Sequence, residues 1–140
     1  MINIFALALL SSNNQIVLLR RAKAGFGQGL YSLVGGKVEH GETARQAIKR
    51  EIEEEVGLEI PESALELVHT LHRKGTESEF VALCFKADIS QMAQPINKEP
   101  DKHDDLHFFN SNALPDNILP AHKQIIEAVQ HKLSYSEHGW

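Results

Sequence analysis

The sequence predicts a mixed domain of α/β or α+β class. Two observations carry this. Strand-like apolar runs stand both before and after one sharply framed helix, and a second helix with an apolar face closes the order. Composition agrees: 42% of the residues are hydrophobic and 24% charged, ordinary for a globular chain. A length of 140 residues suits a single domain, 1–140, with a fair core.

Each element has a local reason. INIFALALL and IVLLRR flank SSNNQ and read as two strands joined by a turn. AKAGFGQGL carries three glycines and reads as a loop. YSLVGG is a short strand leading to the helix over 44–56. LELVHTLHR and FVALCFKADI follow as strands. The second is apolar on both alternating faces, which predicts a central place in the sheet. QMAQPINKEPDKHDD is a polar, proline-containing loop, and DLHFF a further strand. Pro120 suits the first turn of a last helix, AHKQIIEAVQHKL, with Ala121, Ile125, Ala128 and Val129 on its apolar face. The end, 134–140, is expected to be a loose tail.

The first helix carries the chemistry. Thr43 suits the N-cap, with Gln46 three residues later completing a capping box. Gly57 suits the left-handed residue after the helix, and Leu58 the apolar contact back onto Ile52. At about 100° per residue, Ala44, Ile48 and Ile52 form the apolar stripe. Glu55 falls within that arc, Glu51 lies at its edge, and Glu54 flanks Glu51. A glutamate run usually just faces water. Carboxylates turned toward a buried face instead require a partner or a cation, so the placement points to a divalent metal. Three clustered carboxylates repel one another, and at least one should have a raised pKa.

Gly36, Glu42, Arg50, Glu51, Ile52, Glu54, Glu55, Gly57 and Leu58 match every fixed position of the Nudix box, 36–58. A chance match at a given start is on the order of one in a billion. The chain therefore resembles the Nudix hydrolases. That resemblance implies the Nudix fold, a mixed β-sheet sandwiched between helices. It also implies a pyrophosphohydrolase that binds Mg²⁺ or Mn²⁺ and directs water onto a phosphorus of a nucleoside diphosphate derivative. By motif position, Glu51, Glu54 and Glu55 are the implied metal ligands, with the backbone carbonyl of Gly35 as a further one. Arg50 is expected to orient Glu51 or Glu54, and Glu42 to be either an outer metal contact or a helix-start residue. The catalytic base stays open among the box glutamates and a glutamate on a distant loop. Glu99 is the candidate there, against the plainer reading of a solvated side chain; Asp104 and Asp105 are weaker ones.

LLRRA, a glycine-bearing loop and GGKVE are similar to the MutT-like branch, whose members cleave nucleoside triphosphates to monophosphate and pyrophosphate. Arg20 and Arg21 are candidates for phosphate contact, against a solvated strand end. Phe26 and Tyr31 are candidates for stacking on the base, against core packing, and the same choice applies to Phe108 and Phe109. Rival substrates are ADP-ribose, a nucleotide sugar or a dinucleoside polyphosphate. A non-catalytic nucleotide-sensing module is a rival of another class, disfavoured because every box glutamate is present.

Fourteen Lys and Arg against nineteen Asp and Glu give a net charge of −5, which argues against a nucleic acid polymer as partner. The lone Cys84, in an apolar run, excludes an internal disulfide and reads as core. No pair of the eight histidines has convincing zinc spacing with cysteine. No apolar stretch is long enough to span a membrane, and a cytoplasmic location is the simplest expectation. Many relatives pair as homodimers, but the sequence carries no independent dimer signal.

Overall fold

The computed structural model describes all residues, 1–140. Strand β1 (Ile2–Ser12) turns into β2 (Gln15–Arg21). Asn13 and Asn14 both take positive φ, 49° and 67°, as a two-residue hairpin turn requires. The expected single strand over YSLVGG is two: β3 (Tyr31–Ser32) and β4 (Val34–Lys37). The break falls at Leu33, whose backbone N–H leaves the ladder and donates to His122 Nδ1 at 2.9 Å.

Helix α1 (Ala44–Val56) starts and stops where its signals place it. Thr43 Oγ1 accepts from the Gln46 N–H at 3.1 Å, and the Gln46 side chain accepts from the Thr43 N–H at 2.8 Å. Gly57, at φ 73°, donates to the carbonyls of Ile52 and Glu53. β5 (Glu66–Lys74), β6 (Glu79–Asp88), β7 (His103–Asn110) and α2 (Pro120–Gln130) follow.

One sheet runs in the order β3-β2-β1-β6-β5, with β4 also paired to β1 and β7 to β2. β1 and β6 pair in parallel along ten residues, so β6 is central, as its two apolar faces predict. On one face, Ile48, Ile52 and Val56 of α1 pack with Val17, Leu19, Val34 and Phe85. On the other, Ile125 and Ile126 of α2 pack with Leu18, Leu71 and Cys84. Each such fully buried aliphatic side chain is worth about 1.5–3 kcal/mol of transfer from water. The result is the mixed sheet between two helices that the Nudix resemblance implies.

The end of the chain is not a loose tail. Tyr135–His138 forms β8, added in parallel to β5. The reason is a buried side chain, His69 of β5. Its Nδ1–H donates to the Leu133 carbonyl at 2.8 Å, and Ser136 Oγ donates to its Nε2 at 2.7 Å. Gln124 of α2 adds donors to Ser136 and to the Glu137 carbonyl. No helix is long and apolar enough to cross a membrane.

Candidate metal and nucleotide site

The helix frame fixes three different surroundings for the three box glutamates. Glu55 is buried at 5% exposure. Glu51 is mostly covered, and Glu54 is half exposed. Burial, then the negative charge and hydrogen bond of Glu51, push the Glu55 carboxyl up to about 9. The one opposing contact is the Gly35 backbone N–H, which donates to Glu55 Oε1 at 3.3 Å. This is the raised carboxyl that clustering predicts, located at the position deepest in the apolar arc.

Glycine is obligatory at this strand. Gly35 has φ 153°, and a Cβ there would stand 2.8 Å from Leu7 Cα. At Gly36 a Cβ would stand 2.6 Å from Glu51 Cδ. The main chain therefore lies directly against both carboxyls.

Arg50 sits at the centre of the remaining charges. It donates to Glu42 at 2.7 and 3.2 Å, to Glu51 at 2.9 Å and to Glu54 at 3.4 Å. Glu42 also accepts from the Glu39 N–H at 2.9 Å. Glu42 thus joins the turn before α1 to Arg50. Its pKa falls below the ordinary value through the Arg50 hydrogen bond first and the Glu39 amide second.

The polar loop before β7 brings a fourth carboxylate. Ile96 N–H donates to the Val56 carbonyl and Lys98 N–H to that of Glu55, both at 3.0 Å, docking the loop on the last turn of α1. Asn97 braces the bend, accepting from the Glu99 N–H at 3.2 Å and donating to the His103 carbonyl at 2.7 Å. Glu99 is consequently held facing the Glu51–Glu55 end, with Lys102 Nζ at 3.2 Å.

Glu51, Glu55, Glu99, Gly35 and Gly36 all line one cavity of about 470 Å³, a volume that fits a nucleotide. Arg21 and Phe26 line it too. Arg20 and Tyr31 do not. Arg20 and Arg21 are successive residues of β2 and so face opposite ways. Arg20 pairs with Asp104 at 2.6 Å, and Tyr31 donates its hydroxyl to Asp105 while its ring packs edge-on against Phe109. Asp104 and Asp105 are thereby occupied, and Phe108 and Phe109 pack against the two opposite cores. Glu54 and Arg50 also stand outside the cavity lining, at its acidic rim.

As they stand, no three His, Cys, Asp or Glu side chains converge tightly enough to hold a metal ion. Arg50 draws Glu51 and Glu54 toward itself, and Lys102 takes Glu99. The donor set nevertheless fits a hard divalent cation, because it consists of carboxylate oxygens and one of them is buried with no cationic partner.

Several cavity residues carried no signal in the sequence. Arg73 of β5 has its guanidinium 5.0 Å from the Phe26 ring centre and 5.7 Å from that of Phe80. His122 of α2, which accepts from Leu33, lines the same wall, and burial pushes its pKa down to about 3. The neutral ring is set by that bond: with Nδ1 accepting, Nε2 carries the proton.

Residues 1–129 match the NUDIX domain. The chain belongs to the NUDIX family. An oxidized purine nucleoside triphosphate hydrolase of Danio rerio is 36% identical over 103 residues, 71% of this chain and 61% of that protein. An ADP-ribose pyrophosphatase of Methanocaldococcus jannaschii is 31% identical over 122 residues, covering 85% and 68%. The crystal structure of a MutT NUDIX hydrolase from Burkholderia pseudomallei aligns with a TM-score of 0.82 at 27% identity, over 91% of this chain and 97% of that one. Within the family's fold, the Nudix box of this chain, 36–58, runs from the end of β4 through the following turn and α1 to Gly57 and Leu58.

Proposed function

We propose that the protein is a divalent-metal-dependent pyrophosphohydrolase that cleaves a nucleoside triphosphate to nucleoside monophosphate and pyrophosphate. The observation that carries this reading is the meeting of Glu51, Glu55 and Glu99 at one end of a nucleotide-sized cavity, with the main chain of Gly35 and Gly36 against them. Mg²⁺ or Mn²⁺ is the ion this donor set suits.

Glu51, Glu54 and Glu55 are the residues assigned to hold the ion, with the Gly35 carbonyl beside them. Bound there, it supplies neutralisation of phosphate charge and a lowered pKa for water. Burial and Glu51 hold the Glu55 carboxyl above the ordinary range, so Glu55 would give up a proton on loading. Glu99 sits on a loop rather than on α1, so it can approach the attacking water from another side; it is the assigned base, and Lys102 holds it in place. Arg50 positions Glu51 and Glu54 and makes no contact with the cavity. Arg21 is assigned to phosphate.

The test is turnover of a nucleotide panel with Mg²⁺, with products identified. Pyrophosphate released from a triphosphate supports the reading. The likeness to the archaeal ADP-ribose pyrophosphatase favours a second one, cleavage of another nucleoside diphosphate derivative. Monophosphate products from ADP-ribose, with triphosphates untouched, would select it. Binding without turnover of any compound would select a sensor.

A further inference from the structure

The cavity has a second end, opposite in character to the acidic one. Arg73 rests between the rings of Phe26 and Phe80, and Arg21 lies 5.8 Å from the centre of Phe26. Neither arginine has a carboxylate within ion-pair distance, although the chain carries nineteen acidic residues. The nearest acids on the neighbouring strand are taken, Asp104 by Arg20 and Asp105 by Tyr31. Aromatic faces attract a guanidinium but offer its five N–H groups no strong acceptor. Beside the two arginines, His122 presents only its Nε2–H, because Nδ1 is committed to the Leu33 amide. Ser32 spends its hydroxyl proton on the Leu19 carbonyl. This end of the cavity therefore offers hydrogen-bond donors and positive charge, and no side-chain carboxylate.

We propose that Arg73, Arg21 and the Nε2–H of His122 form an oxyanion subsite that holds a phosphate of the substrate, away from the phosphorus attacked at the Glu51–Glu55 end. A nucleobase is the poorer occupant. Adenine, guanine and cytosine each carry an exocyclic amine, for which this wall holds no side-chain carboxylate, and an amine left unpaired there carries a cost. A phosphate has acceptor oxygens only and matches a planar guanidinium in two parallel bonds. Two sources supply such a group: the terminal phosphate of the chain being cleaved, or a phosphate elsewhere on the nucleotide. The subsite deepens the proposed hydrolase reading and rests on it for the position of the cleaved bond.

The first experiment needs no turnover. Wild-type protein in EDTA is titrated calorimetrically with inorganic pyrophosphate. Binding is expected, weakened at least about tenfold in Arg73→Gln and kept in Glu55→Gln. Arg73→Lys should recover only part of it, since an ammonium cannot make the paired contact. Thermal melts of each variant without ligand separate lost binding from lost fold. No binding by the folded wild-type protein, or equal binding by folded Arg73→Gln, overturns the subsite. Because metal is absent, this outcome is independent of whether the chain proves to be a hydrolase.

The second experiment separates the sources in the presence of Mg²⁺. If the terminal phosphate is held, Arg73→Gln raises KM for a nucleoside triphosphate about tenfold or more with kcat little changed, and leaves KM for the diphosphate alone. If another phosphate is held, the rise is confined to a 3′-phosphorylated nucleotide. Unchanged KM for all three overturns the subsite.

Discussion

The Gly35 N–H donates to Glu55 Oε1 at 3.3 Å, joining the strand that enters the Nudix box to the buried face of the helix that carries it. The strand can lie this close only because residue 35 has no Cβ. Gly35→Ala is expected to destabilise the fold by on the order of 3 kcal/mol, through positive φ and backbone collision together. Chemical denaturation measures this. A loss under half that size would mean that β4 can shift away from β1 without harm.

Glu55→Gln separates the two consequences of burying a carboxyl. The amide keeps the shape and removes the ionisation. The variant should match or exceed wild-type melting temperature in EDTA at pH 8 and lose the gain from added Mn²⁺. Turnover should fall by about 10²-fold or more if Glu55 holds the ion. An undiminished Mn²⁺-dependent gain in the variant would remove Glu55 from the ligand set.

The pH dependence of the metal-free protein has a definite sign. The folded value of Glu55, about 9, lies above its ordinary 4.5, so its neutral form stabilises fully below pH 4.5. That contribution is lost as pH rises toward 9. His122 has the opposite direction: its contribution is present above 6.5 and is lost as pH falls toward 3. In EDTA, stability should therefore decline on the alkaline side, and Mg²⁺ should raise the melting temperature more at high pH than at low. A metal-induced gain that shrinks as pH rises would contradict the assigned proton release.

Arg50→Lys tests positioning. A lysine cannot bridge Glu42, Glu51 and Glu54 at once. The expected result is a drop in kcat of about 10²-fold with a smaller change in KM, since the carboxylates would be present but misplaced. Equal kcat in the variant would make Arg50 a turn anchor for Glu42 and nothing more.

His69→Ala should free β8. The Leu133 carbonyl loses its donor and the Ser136 hydroxyl its acceptor in a part-buried setting, at about 2 kcal/mol. Hydrogen exchange at Tyr135–His138 should speed up well before exchange in β6. Unchanged protection there would show that the β5 ladder alone holds the strand.

Much of the molecule was legible in its residues. Thr43, Gln46 and Gly57 frame α1 through contacts a few residues apart, and this local frame put Glu55 inside and Glu54 outside. FVALCFKADI declared its central place through composition. What stayed hidden depends on distant partners. β8 reads as polar and short, and it is a strand only because His69 and Gln124 reach it from elsewhere in the chain. Arg73 and His122 look like any surface cation and helix histidine until Phe26, Phe80 and Leu33 surround them. Arg20 and Tyr31 failed as cavity residues for a reason alternation could have supplied: successive residues of a strand face opposite ways, so only one arginine of the pair could look inward.

The parallel ladder between β1 and β6 has a cost in time. Its two strands lie more than half the sequence apart, and ten residue pairs must wait for both. A ribosome-bound chain must keep FALALL from sticking to other hydrophobic surfaces until FVALCF has been synthesised. Slow refolding, sensitivity to concentration during renaturation and benefit from a chaperone are the practical signs of that delay.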